Sequence, residues 1–311
     1  MALPISNLVI ATPNPEEFVC GYLGRLTLLN GARSSYELLT MLQLHHGIDG
    51  KRHPPVLALA TANGIDLSTF VERHSLFDLH RAVVDDKVTQ RHRDLLNQDI
   101  LNKFGTRIFR RDARYCPVCA EHESQTAGVS FWHRDHQMPG SLICNEHHVE
   151  LLRGERGSKQ YLRPPLTQHG SAAVLSQRDL ADLTSSTILR RYCQILLGFI
   201  EQGQSLSETV ARSRIRDLSK RWGFCMGGQF QPRHLFHFVM ESFPAAWLRQ
   251  EFPTLPSRGP VFHFGPIDCI TISRGPVQIY AMVLAIFFES VTEALDFWLN
   301  GTNNQQLSRA A

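Results

Sequence analysis

The stretch at residues 115–152 reads YCPVCAEHESQTAGVSFWHRDHQMPGSLICNEHHVELL. It begins with a Cys-x-x-Cys pair, Cys116 and Cys119, and a Cys-x-x-His pair, Cys144 and His147, follows after residues 120–143. Two chelating pairs at this spacing are typical of one tetrahedral zinc site with a Cys3His ligand set. The sequence therefore predicts a single structural Zn2+ bound by these four residues, with the rest of the chain arranged around it.

Three other interpretations of this stretch are less favourable. A redox Cys-x-x-Cys pair would leave the pair Cys144 and His147 without a role. A catalytic zinc needs an open coordination position, whereas four protein ligands close this one. A zinc deaminase places His-x-Glu before Pro-Cys-x-x-Cys. Here His148-x-Glu150 comes after the cysteines, and Tyr115 stands where the proline should be.

Further imidazoles in the same stretch leave the fourth ligand open to alternatives. His133, His136 and His148 could each replace His147. The short spacing between Cys144 and His147 favours His147 as the ligand.

The bulk composition bounds the class of protein. A chain of 311 residues suggests two or three packed units, and 43% hydrophobic with 20% charged residues is typical of a globular protein. The net charge of +3 permits contact with nucleic acid without requiring it. Seven cysteines, an odd number, fit a reducing cytoplasm better than a disulfide scaffold. The N-terminus has no signal peptide, and the longest apolar run, at residues 277–288, is too short for a membrane span. We therefore expect a soluble cytoplasmic protein.

The pattern of apolar residues and turn signals predicts a mainly α fold. Helices are predicted at residues 16–31, 35–45, 55–63, 66–73, 88–101, 185–201, 207–222, 234–241 and 277–290. The predicted modules are an N-terminal helical domain resembling a helix-turn-helix at 1–112, a central structural zinc finger at 113–155, a linker at 156–174 and a C-terminal helical domain at 175–311.

Two basic segments are candidates for contact with nucleic-acid phosphates. The first contains Lys103, Arg107, Arg110, Arg111 and Arg114, and the second contains Arg212, Arg214, Arg216, Lys220 and Arg221. The first segment could instead offset the net charge of about −1 that three thiolates and one imidazole leave around Zn2+. The second could be a solvated helix face. The sequence has no glycine-rich phosphate loop and no Gly-x-Ser-x-Gly signature, so we predict no enzymatic activity.

The predicted zinc ligands lie among the landmarks Tyr115-Cys-Pro-x-Cys119, Phe131-Trp132-His-Arg, His136-Gln137-x-Pro139-Gly140, Cys144-x-x-His147 and Leu151. These landmarks resemble those of the TniQ family of transposition target-selection proteins, which includes the TnsD type. Two earlier segments add to the resemblance, Glu16-x-x-x-x-Gly21-Tyr-Leu-x-Arg25-Leu and His74-Ser-Leu-Phe-Asp-Leu-His80. The resemblance is strong over residues 14–152 and fainter beyond them.

The resemblance implies a non-catalytic adaptor, which could act as a homodimer. Such an adaptor links a target recogniser, here an RNA-guided CRISPR effector complex of the Cascade type, to an AAA+ regulator that recruits the transposase. The alternative is a sequence-specific DNA-binding protein that itself marks the attachment site, as TnsD-type members do. The chain has one complete zinc motif where several members carry a second, and this departure weakens the case for direct reading of a long DNA site.

Overall fold

A computed structural model describes residues 7–51, 53–84, 112–155, 160–168, 170, 175–224, 235–251 and 276–301. These residues are mainly α-helical, as predicted. The chain divides into two compact units, residues 1–77 with 92–176 and residues 78–91 with 177–311. The helix predicted at 88–101 and the basic residues Lys103, Arg107, Arg110 and Arg111 lie outside the described residues.

The first unit begins with helices that follow one another closely. They are α1 (Val19–Leu29), α2 (Ser35–His45), α3 (Pro55–Ala62) and α4 (Leu67–His74), and each packs on the next. Their starts agree with the capping residues in the sequence. The Ser34 hydroxyl accepts a hydrogen bond from the Glu37 N–H, and the Asp66 carboxylate accepts from the N–H groups of Ser68 and Thr69. The four helices predicted here are confirmed.

The turn between α3 and α4 consists of residues 63–66, and Gly64 within it has a φ of 64°. A short turn of this kind with a glycine in the left-handed region is what the helix-turn-helix interpretation requires. The packing of α4 on α1 includes the ring pair Tyr22 and Phe70, with centroids 6.1 Å apart. Recognition of DNA by this helix pair stays a prediction.

The chain next forms elements that the sequence interpretation did not include. A short helix, α5 (Phe77–Arg81), lies where the two units divide, and α6 (Pro117–Ala127) starts within the predicted zinc finger. Numbering the strands along the chain, β2 (Arg114–Tyr115) pairs antiparallel with β3 (Leu152–Arg153). These two strands bring together the two ends of the stretch that holds the Cys3His pattern.

The second unit is also helical. Its helices are α7 (Gln177–Ser185), α8 (Thr187–Gln202), α9 (Glu208–Arg221), α10 (Leu235–Ser242), α11 (Ala245–Glu251), α12 (Val277–Phe287) and α13 (Val291–Asn300). The strand β1 (Val83–Val84) pairs in parallel with β4 (Leu206–Ser207). Helix α8 packs on both α12 and α13, so α12 is buried on nearly all sides. Among the helices of the described ranges, none combines the length and apolarity needed to cross a bilayer.

The predicted helices of the second unit are confirmed within a few residues, with one correction. The helix predicted at 277–290 ends at Phe287, because the Ser290 hydroxyl accepts a hydrogen bond from the Glu293 N–H and caps the new helix α13. The end of α12 is held by Arg191, whose Nη1 donates to the carbonyl oxygens of Ala285 at 2.7 Å and Phe288 at 2.5 Å. Carbonyl groups at the end of a helix have no N–H partners within the helix, and the guanidinium of Arg191 supplies the donor instead.

Residues 160–168 belong to the first unit and pack against it, although their composition suggested a linker. Tyr161 is buried, and its ring lies 5.5 Å from that of Phe18 and 5.3 Å from that of Trp132. The Gln168 amide donates to the carbonyl oxygens of Gln160 and Arg163. This segment therefore forms part of the core around α1.

Candidate metal centre

The Cys-x-x-Cys pair is built where strand β2 passes into helix α6. Cys116 follows the strand directly and is the N-cap of the helix, and Pro117 occupies its first turn. The Sγ of Cys116 accepts a hydrogen bond from the backbone N–H of Cys119 at 3.5 Å. A sulfur in the capping position thus accepts from one of the N–H groups that a helix start leaves without partners. Both sulfurs face the same point.

The Cys-x-x-His pair lies at the tip of a hairpin. Ile143 bridges Glu150 in antiparallel fashion, and the backbone N–H of Cys144 donates to the Val149 carbonyl at 2.9 Å. The tip turns through His148, whose φ of 54° lies in the left-handed region. The backbone N–H of His147 donates to the Sγ of Cys144 at 3.4 Å, which repeats the geometry of the first pair.

The four predicted ligands converge on one point, with their ligand atoms all within 4.8 Å of one another. The Nδ1 of His147 lies 3.2 Å from the Sγ of Cys119 and 3.7 Å from those of Cys116 and Cys144. The sulfurs of Cys119 and Cys144 are 3.8 Å apart. Zinc bonds of ~2.3 Å to sulfur and ~2.0 Å to nitrogen, arranged as a tetrahedron, place two sulfurs about 3.8 Å apart and a sulfur and a nitrogen about 3.5 Å apart. The residues therefore fit a tetrahedrally bound metal ion.

The pKa values of the three cysteine thiols are shifted in different directions. Hydrogen bonding with Cys144, together with burial, raises the pKa of Cys116, and burial raises the pKa of Cys119 to about 12. The hydrogen bond with Cys116 lowers the pKa of Cys144. Three thiolates at this distance require a positive ion between them, since a metal ion ionises the thiols that it binds.

The other imidazoles of the stretch take other positions. His148 is exposed on the hairpin tip, and the Nε2 of His133 is paired with the Glu123 carboxylate. His136 is buried, and its ring lies 4.8 Å from that of His133. The structure therefore brings His147, and none of these three, together with the cysteines.

Gln137 connects the strand before the first cysteine to the rest of the unit. Its Oε1 accepts from the Arg114 backbone N–H and from the Tyr161 hydroxyl, each at 3.1 Å. Its Nε2 donates to the carbonyl oxygens of Arg114 at 2.7 Å and His133 at 3.0 Å. A buried amide whose oxygen and nitrogen each have two partners holds these segments in one arrangement.

Trp132 forms the centre of the contacts between the finger and α1. It is 1% exposed, and its Nε1 donates to the Arg163 carbonyl at 3.0 Å. Its ring lies edge-on to the rings of Tyr115 and Tyr161. A Cβ placed on Gly21 of α1 would lie 2.7 Å from the indole, so only glycine permits this approach.

The segment before α1 is joined to the same loop by backbone hydrogen bonds. The Phe18 N–H donates to the Trp132 carbonyl at 2.6 Å, and the Arg134 N–H donates to the Glu16 carbonyl at 2.9 Å. The helices and the finger are therefore one structure within the first unit. The sequence singled out these landmark residues but did not show that they contact one another.

The described basic residues lie in different environments. Arg114 is 3% exposed and its Nη1 donates to the Ser141 carbonyl, so its guanidinium lies in the interior rather than at a surface that phosphates reach. On α9, Lys220 and Arg221 are exposed, whereas burial lowers the pKa of Arg214. The other two, Arg212 and Arg216, are half-buried. Their contact with nucleic acid stays a prediction.

Comparison with known proteins identifies part of the chain. A family model described as TniQ matches residues 8–151. No match is found among curated proteins. The matched range contains α1 to α4, all four residues of the cluster, and the landmarks Trp132 and Gln137.

Proposed function

Since residues 8–151 belong to the TniQ family, we propose that this chain is a non-catalytic adaptor of transposition. The family implies a protein associated with target selection in transposition and is a non-catalytic accessory family. In the proposal the chain links an RNA-guided effector complex of the Cascade type to an AAA+ regulator, which recruits the transposase. The match to the family over the whole of this helical and metal-binding region is the observation that carries the proposal.

The metal centre in this proposal is a structural Zn2+. The donor set of three sulfurs and one nitrogen suits zinc, and four protein ligands leave no position for a substrate or an activated water. The cytoplasm, where thiols stay reduced, is the compartment that such a centre requires. Elemental analysis of the purified chain tests this point. One zinc per chain is expected, and a different metal or none contradicts it.

The interior position of the landmarks supports an adaptor without catalysis. Trp132, Gln137 and Arg114 are buried and bonded within the first unit, so they build its shape rather than a reactive cleft. A unit of fixed shape presents the same surface to each partner, which is what a connecting protein needs.

Capture of both partners tests the adaptor. The tagged, metal-containing chain is mixed with the effector complex and the AAA+ regulator, separately and together. The adaptor is expected to retain each partner alone and to form one complex with both. If a chain with intact metal retains neither, the adaptor function is refuted. Sizing of the chain alone tests the predicted homodimer.

A second function, direct recognition of the attachment site, has support from α9. Arg212, Arg216 and Lys220 follow at intervals of four residues, so they share one face of the helix over ~12 Å of its length. A basic face of this length is suited to phosphate contacts. Sequence-specific recognition requires an affinity for the site at least ~1,000-fold above that for other duplexes.

Two matched variants test the DNA-binding alternative. The double variant Arg216→Gln with Lys220→Gln is expected to lower the salt dependence of duplex binding by about two phosphate contacts. The control, Arg178→Gln with Arg190→Gln, removes the same charge from exposed positions on α7 and α8 and should leave the salt dependence unchanged. Weak binding that does not distinguish sequences, or equal effects of the two double variants, contradicts this function.

A further inference from the structure

The four residues of the metal-binding cluster differ in how close they lie to the surface. Cys116, Cys119 and Cys144 are each at most 5% exposed, and Leu151 is buried in the same cluster. His147 is half-buried. Among the four ligand residues, the side of this imidazole is therefore the route by which an ion enters or leaves the centre.

Glu146 lies on the same side of the cluster. It stands between Cys144 and His147 in the chain and is exposed. Its Oε2 lies 3.9 Å from the Sγ of Cys119. An oxygen and a sulfur that bind one zinc ion in a tetrahedron lie about 3.6 Å apart. The carboxylate is therefore close enough to bind a cation that also contacts Cys119, although the cluster supplies four ligands without it.

Charge decides which role this carboxylate can take. Three thiolates and one imidazole around Zn2+ leave a net charge of about −1. A carboxylate 3.9 Å from one of these sulfurs is therefore repelled by the filled centre. A hydrated cation that approaches from solvent is attracted instead, and a carboxylate oxygen is among the ligands that zinc accepts. Glu146 is thus better suited to binding the ion in transit than to holding it in the centre.

We propose that Glu146 is the entry ligand of the metal centre: its carboxylate binds the hydrated cation at the surface and passes it to Cys119 and His147. The carboxylate releases the ion as the sulfurs bind it, and the protons of the thiols pass to the buffer. A group that assists entry assists exit along the same path, so Glu146 speeds both directions.

The proposal rests on occupancy of the Cys3His cluster, which is part of the proposed function. The two can fail separately. A chain without metal refutes the occupied centre. A loaded chain whose Glu146 variants exchange zinc at the native rate refutes only the role of Glu146.

Exchange of zinc in the loaded, full-length chain tests the entry ligand. Glu146→Gln removes the charge at the same side-chain length, and Glu146→Asp keeps a carboxylate on a shorter one. The control Glu121→Gln removes the same charge from an exposed position of α6, two residues after Cys119. Each chain is mixed with an excess of isotopically enriched zinc, and the isotope ratio of the protein is followed by mass spectrometry.

Glu146→Gln is expected to slow this exchange roughly 10-fold, because the carboxylate no longer gathers the cation at the opening. Glu146→Asp should lie between this variant and the native chain, and Glu121→Gln should match the native chain. Unchanged or faster exchange in Glu146→Gln, or equal slowing in the control, overturns the proposal.

The affinity for zinc separates an entry ligand from a resident one. Competition with a chromogenic chelator at equilibrium gives the dissociation constant of each chain. Glu146→Gln is expected to leave this constant unchanged, since entry and exit slow by the same factor. A weaker affinity together with faster loss of zinc would make Glu146 a ligand of the filled centre, and the proposal would be wrong.

Discussion

The approach of α1 to residues 160–168 gives the sharpest prediction, and Gly24→Ala is the perturbation that tests it. A Cβ on Gly24 would lie 2.0 Å from the carbonyl oxygen of Tyr161, 2.8 Å from its carbonyl carbon and 3.0 Å from the Cα of Leu162. All three are backbone atoms, which cannot rotate out of the way as the end of a side chain can. The helix or the segment must therefore move.

The expected cost follows from this overlap. Ordinary contact needs ~3.5 Å, so the two backbones must separate by about 1.5 Å. Overpacking of this kind costs about 1–3 kcal/mol. If the segment detaches, exposure of the buried Tyr161 ring adds a loss on the order of 1.5–3 kcal/mol. The better helix propensity of alanine returns only about 1 kcal/mol. We expect Gly24→Ala to lower the free energy of unfolding of the first unit by about 2–4 kcal/mol.

Gly198→Ala on α8 is the matched control. Its Cβ would meet Leu295 Cδ1 at 2.4 Å, which is the end of a flexible side chain. We expect this variant to cost less than about 1 kcal/mol, because Leu295 can change its rotamer.

Urea denaturation gives the two stabilities, and hydrogen–deuterium exchange locates the damage. Gly24→Ala should speed exchange in α1 and in residues 160–168. If Gly24→Ala is as stable as the native chain, or if the control costs as much, then the close approach of these backbones is wrong.

The remaining predictions concern the metal centre, the second unit and pH. Cys144→Ser is expected to lose one metal ion per chain and to destabilise the hairpin. The control Cys193→Ser, at a buried cysteine of α8, should keep the ion. Elemental analysis measures the metal content, and a full content in Cys144→Ser refutes the ligand set. Arg191→Met removes the donor to the two carbonyl oxygens at the end of α12, and we expect it to lower the free energy of unfolding in urea by about 2–3 kcal/mol. An unchanged midpoint of the urea transition contradicts this capping role. Burial lowers the pKa of His133, but the hydrogen bond to Glu123 outweighs this and raises it above 6.5. A raised pKa in the folded state gives stability that is fully present below about 6.5 and lost as the pH rises through the folded value. The difference in stability between the native chain and His133→Gln should therefore be larger at acidic than at alkaline pH, and a difference independent of pH refutes the charged pair.

Features set by local chemistry could be predicted from the sequence. The spacing of the two chelating pairs is enough to bring Cys116, Cys119, Cys144 and His147 together, because each pair forms a tight turn of its own. The helix predicted at residues 35–45 has the predicted bounds, and the hydroxyl of Ser34 just before it caps its start. The helix α6 was missed although its signals are local. Pro117 in the first turn and Gly128 at the C-cap, with a φ of 75°, could have predicted it.

Contacts between distant parts of the chain could not be predicted in this way. Residues 160–168 are polar and rich in proline, and this composition suggested a linker. Composition alone gives no sign that these residues pack against α1. The glycines at 21 and 24 look like weaknesses in a helix until the indole of Trp132 and the backbone of Tyr161 are placed against them.

The same comparison explains why the family landmarks do not locate the partner-binding residues. Trp132 and Gln137 are buried and have their hydrogen bonds inside the first unit, and Gly21 is required by the packing of the indole. Residues with such roles fix a shape, because changing any one leaves a clash or a buried polar group without a partner. Contacts with an effector complex, a regulator or DNA need groups at the surface instead. The stretch at residues 115–152 therefore marks the family of this unit, and any partner that the unit binds must be recognised by exposed residues outside these landmarks.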